Sequence, residues 1–405
     1  MTNTIQESPG AGPRPPRVRL KGREDKRLRG GHLWVFSNEI RDVEAHVEPG
    51  DVVHVVDGFG RLVGTGYINP HSLIAVRLVS RSSVEITEDF LTRRIANAHA
   101  HRERALPDGT RACRVVYGEA DLLPGLVVDR YGDCVAVQSL TAGIERRLDL
   151  VLAAVQRVLE PKTIVLRNDS PMREYEGLDV EKRVAVGELA GPVEIEQDGH
   201  VFLVDVLGGQ KTGFYLDQRE NRRETSALGK DRDVLDCCCY TGAWSVYAAA
   251  AGATSVTLVD SSGPALELAR SNWERNGLAT PNELVDADAF KTLAELGRAG
   301  RRFGLVILDP PSLARGRKHV REALKAHRTL NRLAIAVTRP GGHLVTSKCS
   351  HLIESEAFMN SLVGAAREAG RHARVIAVRG QSLDHPVILG LPETGYLQCV
   401  VLEVI

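Results

Sequence analysis

Three kinds of residue in this chain stand where open α/β sheets do their chemistry. They are carboxylates ending apolar runs, a thiol in a polar turn, and aromatic residues ahead of the first run. The stretch Asp233-Val234-Leu235-Asp236-Cys237-Cys238-Cys239-Tyr240-Thr241-Gly242 reads as a strand and a turn of small residues, with a helix over 243–251. Such units hold a nucleotide-like ligand at the carboxyl end of a parallel strand. The next apolar run, Ser255–Val259, ends in Asp260, as far downstream as a ribose-gripping carboxylate should lie. After a strand near 283–285, Asp288 is placed to accept from an adenine amino group, with Asp286 as the alternative. The run Phe303–Leu308 ends in Asp309-Pro310-Pro311-Ser312, a stiff exit, because proline cannot remain in a central strand. The strand 343–346 leads to Ser347-Lys348-Cys349-Ser350-His351. A thiol there is a candidate nucleophile, and Lys348 and His351 are expected to lower its pKa. The plainer readings are a proline-terminated strand and a small buried cysteine.

The turn after Asp236 lacks the crowded glycines through which a dinucleotide pyrophosphate approaches the backbone; Gly242 is its one glycine. It suits a smaller zwitterionic ligand, S-adenosylmethionine, better than NAD. Ahead of the first strand, 209–222 is too polar for a core element. Phe214 and Tyr215, with Asp217-Gln218-Arg219, read as a lid over that ligand, followed by a helix over 218–227.

The elements that must position these groups follow from patterning. The fold expected is α/β: a Rossmann-like seven-stranded domain over 191–405, preceded by a small β-barrel (17–87) and a linker helix with an α+β domain (88–190). In the barrel, short strands over 51–56, 61–68 and 73–79 surround an Asp57-Gly58 hairpin signal. A helix over 88–105 links to strands at 113–117, 126–129 and 134–139, a helix over 144–159 and a strand at 163–167. A hairpin turning on Asp198-Gly199 opens the last domain, and strands at 374–378 and 396–404 close its sheet.

Composition is that of a soluble globular protein, with 26% charged and 43% hydrophobic residues and no run long enough to span a membrane. The segment 1–16, polar and rich in Pro and Gly, is expected to be a disordered tail, and the chain to be cytoplasmic. Seven cysteines without a C-x-x-C pair predict neither zinc nor disulfides. A net charge of zero leaves any grip on nucleic acid to local patches. One runs from Arg17 to Arg29 and continues into Gly30-Gly31-His32-Leu33-Trp34-Val35-Phe36. The other is Arg315, Arg317, Lys318, Arg321, Lys325 and Arg328, with the last four spaced for one helix face. Each patch also reads as an ordinary solvated surface.

The stretch 50–66 resembles the PUA domain, a small RNA-binding barrel. The stretches 211–219 (K-T-G-F-Y-L-D-Q-R), 240–243, 309–311, 349–351 and 384–387 (D-H-P-V) resemble class I S-adenosylmethionine-dependent methyltransferases. More narrowly, they resemble the PUA-containing 23S rRNA cytosine-5 methyltransferases. The resemblance spans roughly 17–405, though Ser312 stands where a lysine is common. It implies S-adenosylmethionine as cofactor, with Asp236 and Tyr240 at its methionine end, Asp260 on the ribose, Asp288 at the adenine and Phe214 and Tyr215 above. Thr241, Gly242 and Asp309 complete that set. It implies 23S rRNA as partner, with Lys211, Arg219, Pro310, Pro311, Lys318 and Arg321 as its contacts, no metal, and a possible homodimer. The implied chemistry is addition of the Cys349 thiolate to carbon 6 of the pyrimidine, with Asp309 holding the ring edge. An RNA base N-methyltransferase and a non-catalytic RNA-binding assembly factor are the competing readings.

Overall fold

The computed structural model describes residues 14–314 and 316–405. The tail expectation for 1–13, and Arg315 of the second patch, lie outside the described residues. Strands are numbered within the seven-stranded sheet that carries the site: β1 (Asp233–Cys237), β2 (Ser255–Asp260), β3 (Asn282–Asp286), β4 (Phe303–Leu308), β5 (Thr338–Cys349), β6 (Ala373–Arg379) and β7 (Leu397–Val404). Their order is β3-β2-β1-β4-β5-β7-β6, parallel except for β7, which runs against both β5 and β6. The order reverses between β1 and β4, where such sheets open a crevice for ligands.

Strand alternation gives each face its own core. Leu235, Val259, Val306 and Leu344 point to one side, against helices α3 (Ala289–Arg298), α4 (Val320–Val337) and α5 (Ser355–Glu368). Val234, Val256, Leu258 and Ile307 point to the other, against α1 (Ala243–Ala250) and α2 (Gly263–Arg275), through Trp244, Ala248, Ala269 and Trp273.

Upstream, six short strands between Arg17 and Ser80 form one sheet. Bulges in four of its five pairings bend it around Val18, Leu33, Val35, Val53 and Leu78. The strand at Val52–Val56 does not alternate between buried and exposed residues. Both its faces are covered, and even His54 is buried, within 3.1 Å of the Ser83 hydroxyl. Five strands between Ala112 and Val186 form a second sheet, whose last strand, Glu181–Val186, the sequence reading missed. The single helix expected over 144–159 is two, Ala142–Glu145 and Leu148–Leu159. The chain breaks between them because Arg147 leaves helical geometry and donates to the carbonyls of Gly143 and Gly50.

Part of the Arg17–Phe36 patch is structural, while Lys21, Arg23 and Lys26 are exposed. Arg27 is bound to Glu39 at 2.8 Å and to the Trp34 carbonyl, and its guanidinium lies over Phe36. Arg29 pairs with Asp25 and Asp57. His32 is buried, and the Trp34 indole donates to Glu119.

The hairpin Val193–Gln197/His200–Val204 joins the second sheet to the seven-stranded one; Ile195, Phe202 and Val204 pack between Tyr131, Ala136 and Val165 on one side and Phe214, Val246 and Tyr247 on the other. The loop 380–396 makes a second bridge. Asp384 is fully buried, accepts from the Arg114 amide and pairs with His385 at 2.7 Å. Arg102 donates to the Asp384 carbonyl, and the Tyr117 hydroxyl to that of Thr394. At the far end, Gly390 rests on Gly31 of the first sheet. A Cβ on Gly390 would lie 2.4–2.7 Å from three Gly31 backbone atoms. Gly390→Ala is therefore expected to cost about 1–3 kcal/mol through overpacking. It should lower the melting temperature and speed hydrogen exchange over 28–35, while exchange in β1 and β4 stays unchanged.

Candidate active site

At the carboxyl ends of β1, β2, β4 and β5 lies a cavity of about 400 Å³. It brings together Lys211, Phe214, Tyr215, Tyr240, Thr241, Asp260, Asp288, Asp309, Pro310, Pro311 and Cys349, residues far apart in sequence.

Its floor is the turn after β1. Cys238 and Tyr240 adopt left-handed backbone conformations, with φ of 60° and 49°. Side chains rarely accept these, and the surroundings must hold them. Asp260 does so: its carboxylate accepts the Tyr240 amide at 2.8 Å and the Ser262 amide at 3.0 Å. Asp288 caps α3 by accepting the Lys291 amide with one oxygen, and it lines the cavity.

Two expected cofactor residues lie elsewhere. Asp236 is fully buried beneath the turn, within β1, where one oxygen accepts the Ser245 hydroxyl at 2.7 Å. Because it sits inside the parallel ladder, the wall is formed by the residues after it, Cys238, Cys239 and Tyr240. Burial, with Asp309 and Asp260 nearby, pushes its carboxyl up to about 7. Gly242 does not line the cavity either; it is glycine because a Cβ would meet Ala269 and Leu258 at 3.0 and 3.1 Å, so it sets the packing of α1 on α2.

Asp309 is held by two donors, Gln218 Nε2 at 2.9 Å and the Trp244 indole at 3.1 Å. Burial raises its pKa, and these two bonds work against the rise. Gln218 also reaches the Ser347 hydroxyl and is itself oriented by Asn221. The sequence places Gln218 in the lid but gives no sign that it braces Asp309, and Trp244, directly after the 240–243 motif, carries no signal of its own.

Cys349 ends β5, partly exposed to the cavity, with Sγ 3.6 Å from the Pro310 carbonyl. The expected activators are not beside it. Lys348 is the next residue on a strand and so points to the opposite face, where its ammonium donates to the carbonyls of Ser350 and Ile353. Burial lowers the His351 pKa, which keeps that imidazole neutral. The cation that favours the thiolate is Lys211. Its Nζ lies 4.5 Å from the Tyr215 ring centre, 5.9 Å from that of Tyr396, and 3.3 Å from the Asp217 carboxylate. Tyr396 donates to the same carboxylate, and the next residue, Leu397, pairs with Cys349 across β5 and β7. Burial still dominates and pushes the Cys349 thiol up to about 12.

The expected RNA contacts divide. Arg219 is 1% exposed and donates to the Ala112 carbonyl in the second sheet, so it joins domains and does not face a ligand in this cavity. Lys318 precedes α4 in a short turn and, like Arg321 and Lys325, is exposed. Arg328 is committed to α5, 3.5 Å from Glu368 and packed on Gly364. Among the described residues no group of three or more His, Cys, Asp or Glu is arranged to hold a metal, and no helix is long and apolar enough to cross a membrane.

Comparison with known proteins agrees with this architecture. Residues 18–81 match the model of the PUA-like domain, and 177–378 that of the S-adenosylmethionine-dependent methyltransferases. Ribosomal RNA large subunit methyltransferase I of Alteromonas mediterranea is 37% identical over 390 residues, covering 96% of this chain and 98% of the relative. The protein of that name from Shewanella denitrificans is 38% identical over 393 residues, with 96% and 99% covered. A solved Streptococcus mutans chain assigned as a SAM-dependent methyltransferase shares the fold, with a TM-score of 0.82 at 21% identity over 96% of this chain and 99% of that one.

Two expectations follow from the charges. The Asp236 carboxyl is raised on folding, so its contribution to stability is complete below about pH 4 and is lost as pH rises through about 7. Asp236→Asn should remove that part of the slope: melting temperatures at pH 5 and pH 8 should lie closer together than in wild type, and parallel profiles would refute the assignment. Lys211→Met should slow iodoacetamide alkylation of Cys349 at pH 8 by about tenfold, read by peptide mass spectrometry, because it removes the favouring cation.

Proposed function

Because this chain belongs to the ribosomal RNA large subunit methyltransferase I family, we propose that its cavity methylates carbon 5 of a cytosine in 23S rRNA through a transient bond to Cys349. The protein is an S-adenosylmethionine-dependent RNA methyltransferase with a PUA-like domain. One observation carries the finer reading: a thiol and a braced carboxylate, Cys349 and Asp309, share one cavity with the carboxylates of a nucleoside site.

The donor set fits the cofactor. Asp260, pinned by two amides, keeps lone pairs for ribose hydroxyls. Asp288 has an oxygen for an adenine amino group, and Val259 and Phe290 supply apolar wall for a purine. Tyr240, Thr241, Phe214 and Tyr215 surround the other end. Bound there, the cofactor supplies an electrophilic methyl group.

This chain's residues supply the rest. Carbon 5 of cytosine is a poor nucleophile until sulfur adds to carbon 6. Lys211 stabilises the Cys349 thiolate, the S–C6 bond forms, and electron density moves to carbon 5. Once carbon 5 carries the methyl group, its proton leaves to a base. The S–C6 bond then breaks, which restores the ring double bond and the thiolate. Asp309, fixed by Gln218 and Trp244, holds the pyrimidine edge. The base must be extruded from its stack to enter. Lys318 and Arg321, exposed where α4 begins, suit phosphates on either side of it. Cytoplasmic residence follows from an rRNA substrate. A homodimer is consistent with the exposed Val375, Ile376 and Val378 of edge strand β6.

Cys349→Ala should lower methyl transfer from labelled S-adenosylmethionine to 23S rRNA by ~10³-fold or more while leaving cofactor affinity unchanged. Nucleoside analysis should find the wild-type label in 5-methylcytidine. Label that persists in the variant, or that sits on an exocyclic nitrogen, would defeat the covalent mechanism.

A further inference from the structure

Between Asp384 and Thr394 the chain makes a short, tightly bonded loop that precedes β7 and reaches Gly31 and His32 of the N-terminal domain. The Leu391 amide bonds the Ile388 carbonyl, and the Thr394 hydroxyl both accepts the Ile388 amide and donates to the Leu391 carbonyl. Leu391 is fully buried and anchors the loop; Leu389, two residues earlier, is 100% exposed. Between them Gly390 lies against the Gly31 backbone, with the Arg81 guanidinium beside that contact. A few residues on, Glu393 stands 3.7 Å from His32 of the first sheet, and Tyr396 leads into the strand that pairs with Cys349.

An isolated exposed leucine is ordinary on a protein surface. This one differs because its backbone cannot retreat. The loop is bonded internally, anchored at its stem by the buried Asp384–His385 pair, and stopped at its tip by another backbone. The apolar side chain thus stands out rigidly at the seam between the PUA-like sheet and the strand end carrying the nucleophile, next to an exposed cation. Enzymes that extrude a base face an open stack behind it, and rigid apolar side chains fill such gaps.

We propose that Leu389 is a wedge that enters the RNA base stack as the target pyrimidine is drawn toward Cys349, with Arg81 taking an adjacent phosphate. This rests on the RNA-methylating reading of the cavity and makes Leu389 a positioning residue. It predicts a defect in turning the base out, not in holding RNA or cofactor.

The test uses the full-length protein and protein-free 23S rRNA transcript. Under single turnover at saturating RNA, Leu389→Ala should slow methyl transfer by ~10-fold, with RNA affinity within about threefold of wild type and S-adenosylmethionine affinity unchanged. Leu389→Met should restore most of the rate. A second readout does not depend on chemistry: a photo-crosslinking amino acid at position 389 should attach to nucleobases of the rRNA. An Ala variant as fast as wild type, or one that only weakens RNA binding, would overturn the proposal. So would crosslinks to a second copy of the protein, or no crosslink to RNA. If wild type transfers no methyl group but position 389 still crosslinks to bases, the reaction assignment fails and the insertion stands.

Discussion

The buried carboxylate of Asp217 is the constraint around which the site closes. An anion taken out of water must be compensated or it will unfold its surroundings. Here the compensation comes from four groups: the Lys211 ammonium, the Tyr396 hydroxyl and, at longer range, His385 and Arg114. These groups belong to the lid, the start of β7, the second sheet and the bridging loop. The need to neutralise one carboxylate thus draws the lid onto the catalytic strands and keeps Lys211 in the cavity that Cys349 faces. Asp384 is compensated in the same way by Arg114 and His385.

Each wall of the cavity comes from a different strand end, so its geometry depends on the order of the sheet more than on any single loop. The connections leaving the paired strands β1 and β4 part at the reversal of strand order, and the turn after β1, with Cys238 and Tyr240 in left-handed conformations, floors the gap between them. Asp309 then emerges beside Trp244 and Gln218, which hold its carboxylate in the cavity that Cys349 also lines.

Much of this could be read from the chain itself. The central strands have apolar runs ended by acids or prolines, and their limits at Ser255, Phe303 and Leu308 agree with the structure because burial on both faces leaves no other pattern. The residues lining the cavity were also legible wherever a strand end dictates them, as at Asp260, Asp309 and Cys349. Reading failed where side-chain direction mattered. Lys348 is adjacent to Cys349 in sequence and opposite to it in space, because strand neighbours alternate. Arg219 looked like a ligand contact because the surrounding stretch is polar, yet its guanidinium is buried and donates to a carbonyl from another domain. Tyr396 gave no signal at all, since its partner Asp217 is 179 residues away.

Burial has a further consequence for the four thiols around the site, Cys237, Cys238, Cys239 and Cys349. In each, desolvation is the first cause holding the proton on sulfur. Peroxide oxidises the thiolate and not the thiol, so burial of this kind works against sulfenic acid formation at all four. Protection from oxidation is thus a by-product of packing the turn after β1 and the end of β5 into the core, with Lys211 opposing it at Cys349.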